Sequence, residues 1–216
     1  MSSAHRLFAA VYDRLGHGAE EGWLGKLREE LLVGVDGEVL EIGGGTGANL
    51  PHYGPRVRRL VVAEPDPFMR RRLEQKVGNA PVEVEVVVDA AESLSSADES
   101  FDVVVSTLVL CSVEDLEWSM REIRRVLRPG GRLVFLEHVR AQNGPLRWQN
   151  RLQPLWGRLA AGCRLDRDTV RAIQHAGLEL ERLEHFQPPV PLRGLFPHVA
   201  GAARRAIADL AEDGER

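Results

Sequence analysis

Cysteine is almost missing from this chain of 216 residues, which has only Cys111 and Cys163. The two lie far apart and form no CxxC pair. Neither a disulfide framework nor a structural zinc site is therefore expected, and a reducing, cytoplasmic setting fits. Long apolar runs are missing too. Nothing approaches the roughly 18 residues of a membrane-spanning helix, and Met1-Ser2-Ser3-Ala4-His5-Arg6 leads into no apolar stretch of the secretory kind. No transmembrane anchor is expected. Positive charge is not in excess: 28 basic against 32 acidic residues leave a net charge of −4, which argues against nucleic acid as a partner. Repeats, low-complexity tracts and linkers are lacking as well. The apolar share of 44% is that of an ordinary globular chain, and the length suits one domain.

What is present is alternation. Residues 4–15 carry Leu7, Val11 and Leu15 at helical spacing, and 20–32 carry Trp23, Leu27 and Leu31. From about 38 to 139, strands and helices take turns. The strands are 38–42, 60–63, 82–88, 101–110 and 132–139, and a further strand, 178–184, follows a helical, aromatic stretch. Asp66 before Pro67 reads as an N-cap, and Ser112 with Asp115 as a capping box. The helix-breaking run Arg128-Pro129-Gly130-Gly131 precedes the fifth strand. Alternation of this kind predicts an α/β fold with a doubly wound, mostly parallel sheet.

Ligands bind such sheets at the carboxyl ends of the strands. Gly43, Gly45 and Gly47 follow the first strand, where glycine permits a tight turn and close approach of the backbone. A helix-like stretch to Tyr53 would offer free amides to a negative group. Glu64 ends the next strand, 17 residues past Gly47, where a carboxylate can accept from both ribose hydroxyls. The spacing is not the G-x-G-x-x-G of dinucleotide enzymes, and no Tyr-x-x-x-Lys pair supports a dehydrogenase.

With Glu41-Ile42 in front, the loop Gly43-Gly44-Gly45-Thr46-Gly47 resembles the first motif of the class I S-adenosylmethionine (SAM)-dependent methyltransferases, methyltransferase type 11. Glu64, Asp89-Ala90-Ala91-Glu92, Phe101-Asp102-Val103-Val104 and Leu127-Arg128-Pro129-Gly130-Gly131 continue that resemblance in order. It implies a single-domain, Rossmann-like, seven-stranded sheet with SAM as cofactor. It also implies a cofactor site of Glu41, Gly43, Gly45, Gly47, Glu64, Thr107 and Leu108, with adenine read by Asp89 or by the amide of Ala91.

A narrower likeness rests on Thr107–Val113, Glu137-His138-Val139, Trp148-Gln149, Pro154 with Trp156, Gly162-Cys163, Gln187-Pro188 and Pro197-His198 with Gly201. These are similar to the methyltransferase-like thiol methyltransferases, and the likeness implies a small-molecule acceptor, a small thiol first. Quinol or phenol O- or C-methylation is the alternative within the enzyme class, and a non-catalytic SAM-binding protein lies outside it.

A sulfonium carries an activated methyl, so no metal is expected. A thiol with pKa near 8.5 is only a few per cent thiolate at pH 7. His138, at the end of the fifth strand, is accordingly a candidate base, or else packs and shapes the pocket. Cys111, Trp148, Trp156 and Phe186 are candidate walls of the acceptor pocket, and Cys163 reads as another wall. Asp102 starts a strand and reads as structural; Arg70-Arg71-Arg72 reads as a solvated face. By segments, 1–34 holds N-terminal helices, a lid or a packed strut, 35–205 the SAM-binding domain, and 206–216 an acidic tail.

Overall fold

Unbroken apolar runs such as Val103-Val104-Val105 favour strands covered on both faces, and the chain folds to provide that cover. A computed structural model describes residues 20, 22–141, 144–159, 162–189 and 193–207. Seven strands form one sheet in the order β3-β2-β1-β4-β5-β7-β6. They are β1 Gly37–Ile42, β2 Val57–Ala63, β3 Val84–Val87, β4 Phe101–Thr107, β5 Leu127–His138, β6 Leu178–Phe186 and β7 His198–Arg205. The strands β1 to β5 pair in parallel. The last in sequence, β7, inserts antiparallel between β5 and β6. Strand order reverses between β1 and β4, and that is where open sheets of this kind open a binding crevice.

Five helices accompany the sheet among the described residues: α1 Trp23–Leu32, α2 Pro67–Val77, α3 Leu116–Val126, α4 Gly144–Leu159 and α5 Thr169–His175. Alternate residues of each strand feed opposite cores. Val39, Leu60 and Val103 pack with Leu32 of α1 and Leu73 of α2. Leu40, Val104 and Phe135 pack with Met120 and Ile123 of α3 and Ile173 of α5. None of the described helices is long and apolar enough to cross a membrane.

Several local expectations are met and others move. Asp66 caps α2, its carboxylate accepting from the amides of Phe68 at 2.8 Å and Met69 at 3.0 Å. Asp115, not Ser112, caps α3 and accepts from the Trp118 amide. The shift arises because β4 ends at Thr107, three residues early, and the chain turns through 108–113 before the helix can start. After the glycine loop no full helix forms, only a 3-10 turn at Leu50–His52, since Pro51 has no amide to continue one. The inward face of α1 is Leu24, Arg28 and Leu32, one residue on from the expected Trp23, Leu27 and Leu31. The helix turns this way because the Arg28 guanidinium is drawn to a polar cluster in the core. Asp102 is structural as expected: it accepts from the Glu38 amide, Arg58 and Arg128. The predicted first helix at 4–15, and 208–216 of the tail, lie outside the described residues.

Replacing Asp66 with Ala removes both cap bonds and should cost about 1 kcal/mol in chemical denaturation; unchanged stability would show that the cap contributes nothing.

Candidate active site

The three glycines expected to shape the first loop all need to be glycine. Gly43, Gly45 and Gly47 have φ of +59°, +57° and +81°, a region where a side chain is strained. At Gly45 an added Cβ would meet nothing nearer than the Gly43 carbonyl at 3.9 Å, so the bare backbone faces open space. Beside it, Glu64 is 6% exposed. Its two oxygens accept from the Gly45 amide at 2.7 Å and the Asp66 amide at 2.8 Å. Burial raises the Glu64 carboxyl, and those two amides pull it back down. Arg70 donates to the Glu64 and Pro65 carbonyls, so it braces this corner and is not merely solvated.

Under the loop lies a polar cluster that only partly follows from the sequence. Glu41 is buried and accepts from the Tyr53 hydroxyl at 2.8 Å and from Asn49 at 3.0 Å. Arg28, 3% exposed, donates from one nitrogen to Asn49 Oδ1 and Thr107 Oγ1, both at 2.8 Å. With its other nitrogens it pairs with Glu20 at 2.9 Å. Burial pushes Glu41 up to about 7, against the lowering influence of Tyr53, Arg28 and Asn49. No motif announces Arg28; its helix register, visible only in the fold, brings it here.

The other expected cofactor residues are placed as follows. Asp89 spends one oxygen on the Ser95 amide and hydroxyl, at 2.8 and 2.7 Å, and so closes a turn. Ala91 is buried in the core on that side. Glu92 accepts from the Glu114 amide, tying this loop to the start of α3. Leu108 adopts φ +61°, rare for a side-chain-bearing residue, with its amide on the Leu136 carbonyl at 2.7 Å.

Leu108 starts a turn that Glu137 holds. Glu137 is wholly buried and accepts from the Ser106 hydroxyl at 2.7 Å and from the amides of Val109, Leu110 and Cys111 at 3.1, 3.1 and 3.2 Å. Burial raises this carboxyl, and its four donors oppose the rise. The turn abuts the cofactor cradle, because a Cβ on Gly43 would collide with Val109.

The residues expected at the acceptor end centre on His138. Its Nδ1 lies 3.4 Å from Cys163 Sγ and 3.9 Å from Cys111 Sγ, and the two sulfurs are 3.6 Å apart. Their mutual contact lowers Cys163 and raises Cys111, so one thiol gives up its proton well before the other. The His138 ring centroid is 4.1 Å from that of His198 in β7. His198 donates from Nδ1 to the Phe196 carbonyl, and burial with the neighbouring His138 pushes it down to about 3, so it is neutral. Phe186 stacks on His198 at 5.3 Å and Trp23 meets it edge-on at 5.6 Å. Trp156 and Phe196 pack against the cysteines.

Of the expected pocket walls, Cys111, Trp156 and Phe186 thus gather around His138, and Trp148 does not. Trp148 is 59% exposed with the Arg151 guanidinium over its ring. Gln149, its fully buried neighbour, ties α4 to the Ala141 amide and the Leu195 carbonyl and so turns Trp148 outward. Glu137 and His198, like Arg28, carry no signal of their own in the sequence beyond, for the first two, their place in the Glu137-His138 and Pro197-His198 pairs.

Comparison with known proteins agrees with this geometry. A family model for a methyltransferase domain matches residues 40–135. Human thiol S-methyltransferase TMT1A is 37% identical over 203 residues, covering 91% of this chain and 82% of its own. The chain belongs to the class I SAM-dependent methyltransferases. Among solved structures, a putative methyltransferase from Bacillus halodurans superposes with a TM-score of 0.71 at 18% identity, covering 85% of this methyltransferase and 98% of its own chain. Geranyl diphosphate C-methyltransferase from Streptomyces coelicolor, solved with S-adenosyl-L-homocysteine, gives 0.68 at 16% identity, covering 84% and 77%. The methyltransferase is an enzyme whose cofactor is SAM, and the open backbone at Gly45, the buried Glu64 and the Arg28–Glu41 cluster fit that group.

The raised Glu41 carries a pH signature. Stability that its neutral form contributes is complete below the ordinary carboxyl value of 4.5 and is lost as pH rises through about 7. Between pH 4.5 and 7 the cofactor-free enzyme should lose about 3 kcal/mol on this account. Denaturation of Glu41→Gln across the same range should lack that loss; parallel pH curves for the two proteins would refute it.

Proposed function

We propose that this methyltransferase transfers the methyl group of SAM to the sulfur of a small, largely apolar thiol. The observation that carries the reading is the cluster of Cys111, His138, Trp156, Phe186 and His198 at the carboxyl end of β5, across the turn after β4 from the cofactor loop. The 37% identity to a human thiol S-methyltransferase supports a sulfur acceptor in particular.

SAM supplies a methyl already activated on a sulfonium. Everything else is positioning in a site that excludes water. Gly45 leaves its backbone bare for the nucleoside, and Glu64, fixed by two amides, has lone pairs left for the ribose hydroxyls. Arg28 and Glu41, which carry opposite charges when ionised, suit the carboxylate and ammonium of the methionyl end. Ala91 flanks the adenine, with Asp89 holding the turn there. Thr107 and Leu108 bring the strand end between the two halves. His138, with neutral His198 behind it, bounds the space into which the acceptor sulfur comes. A reducing, cytoplasmic setting goes with this reading, one in which two cysteine sulfurs 3.6 Å apart stay unoxidised.

Calorimetry should show binding of SAM and of S-adenosylhomocysteine, with Glu64→Ala weaker by about 1.5–3 kcal/mol, the scale of a charge-assisted hydrogen bond. An unchanged affinity would remove Glu64 from the ribose site. Product analysis with alkyl thiols, phenols and quinols tests the acceptor. Thioether should form from the thiols; turnover of quinols or phenols alone would replace sulfur with oxygen or carbon as the target.

A further inference from the structure

Cys111, Cys163 and His138 arrive from three distant places: the turn after β4, the segment after α4 and the end of β5. Their donor atoms mark a triangle with edges of 3.4, 3.6 and 3.9 Å. A disulfide is not what holds the sulfurs, since an S–S bond is about 2.0 Å and both thiols are free. A shared zinc ion imposes other separations. With Zn–S near 2.3 Å and Zn–N near 2.0–2.1 Å, tetrahedral angles put two sulfurs about 3.8 Å apart and a sulfur and a nitrogen about 3.6 Å apart. The observed sulfur–sulfur edge falls within 0.2 Å of the first value, and the two sulfur–nitrogen edges lie on either side of the second.

We propose that Cys111 Sγ, Cys163 Sγ and His138 Nδ1 bind a zinc ion whose fourth position is open to the acceptor thiol. Among the described residues no other Cys, His, Asp or Glu joins the three. Three protein ligands with one position left over is the arrangement of a catalytic zinc; a structural site is closed by four. Two sulfurs and an imidazole suit zinc, whereas magnesium and calcium take oxygen.

The surroundings hold this triangle in place. Gln153 of α4 clamps the Cys163 segment from both sides, donating to the Cys163 carbonyl at 3.1 Å and accepting from the Leu165 amide at 2.8 Å. The Arg164 amide donates to the Cys111 carbonyl at 2.7 Å, which locks the two cysteine segments together. Glu137 holds the Cys111 amide from the other side. The buried Trp156 indole N–H has no hydrogen-bond partner among the described residues, and its ring packs against the cysteine pair.

The binding site stands on this geometry; its role rests on the thiol-methylation reading above. An acceptor thiol takes the open position through sulfur, its proton passing to bulk solvent as it enters the site. Its sulfur lone pair then forms the new S–CH3 bond as the methyl–sulfonium bond breaks, which yields a thioether and neutral S-adenosylhomocysteine. No electron is exchanged, and the zinc stays divalent. The thioether is a poorer ligand than a thiolate and leaves. Coordination thereby replaces His138 as the means of ionising the acceptor.

The test uses the full chain, purified reduced and without chelator. Mass spectrometry of metal content should find close to one zinc per chain. After zinc removal, added Co2+ should produce thiolate-to-cobalt charge-transfer absorption that zinc abolishes. Cys111→Ser and Cys163→Ser should each weaken zinc binding on the order of 100-fold or more, while calorimetric SAM binding to the same samples reports that they are folded. Absence of zinc and of the cobalt bands in protein that still binds SAM overturns the site and leaves methyl transfer standing. Full zinc occupancy in both serine variants overturns it as well. A zinc-loaded enzyme that methylates no alkyl thiol overturns the role and the thiol reading together.

Discussion

Glu137, the residue before the end of β5, is sealed from water and ringed by four hydrogen-bond donors. A buried carboxylate costs several kcal/mol unless its hydration is replaced, and here Ser106 and three successive amides replace it. Those amides belong to the turn after β4, so the carboxylate of one strand dictates how the chain leaves its neighbour. The turn ends β4 early, puts Leu108 at φ +61°, a conformation that costs about 1–3 kcal/mol, and delays α3 until Asp115. It also sets Cys111 facing His138, the residue that follows Glu137. Cofactor side and acceptor side are joined through this turn.

Around it the two halves differ in character. The cofactor half is polar and networked, with Arg28 reaching in from α1 to link Glu20, Asn49 and Thr107. The acceptor half is sulfur, imidazole and aromatic carbon. That contrast matches a donor rich in hydroxyls and charge and an acceptor with few of either.

How much of this could be read in the chain depends on the range of the interactions involved. The strand–helix alternation, the Asp66 cap and the demand for glycine at 43, 45 and 47 are local, and a few neighbouring residues carry each of them. The place of Glu64 just past β2, against the glycine loop, is legible because it lies at a fixed distance along a βα unit. The facing of helices is not: α1 is turned by Arg28 and α4 by Gln149, and both of those residues bond to partners elsewhere in the chain. An aromatic at a helical position says nothing about which side is inward, and Trp148 faces solvent. The meeting of Cys111 with Cys163, 52 residues apart, depends on where α4 returns the chain, and His198 meets His138 only through the pairing of β7 with β5.

That pairing governs when the site comes into existence. During synthesis β5 and β6 emerge first, and the strand that separates them in the finished sheet follows both. Domains fold as units while the chain is being made, but here β6 has no partner in the sheet until His198–Arg205 is in place beside β5. Only then does His138 gain its imidazole neighbour, so this pair of rings meets after every strand of the cofactor side has been made.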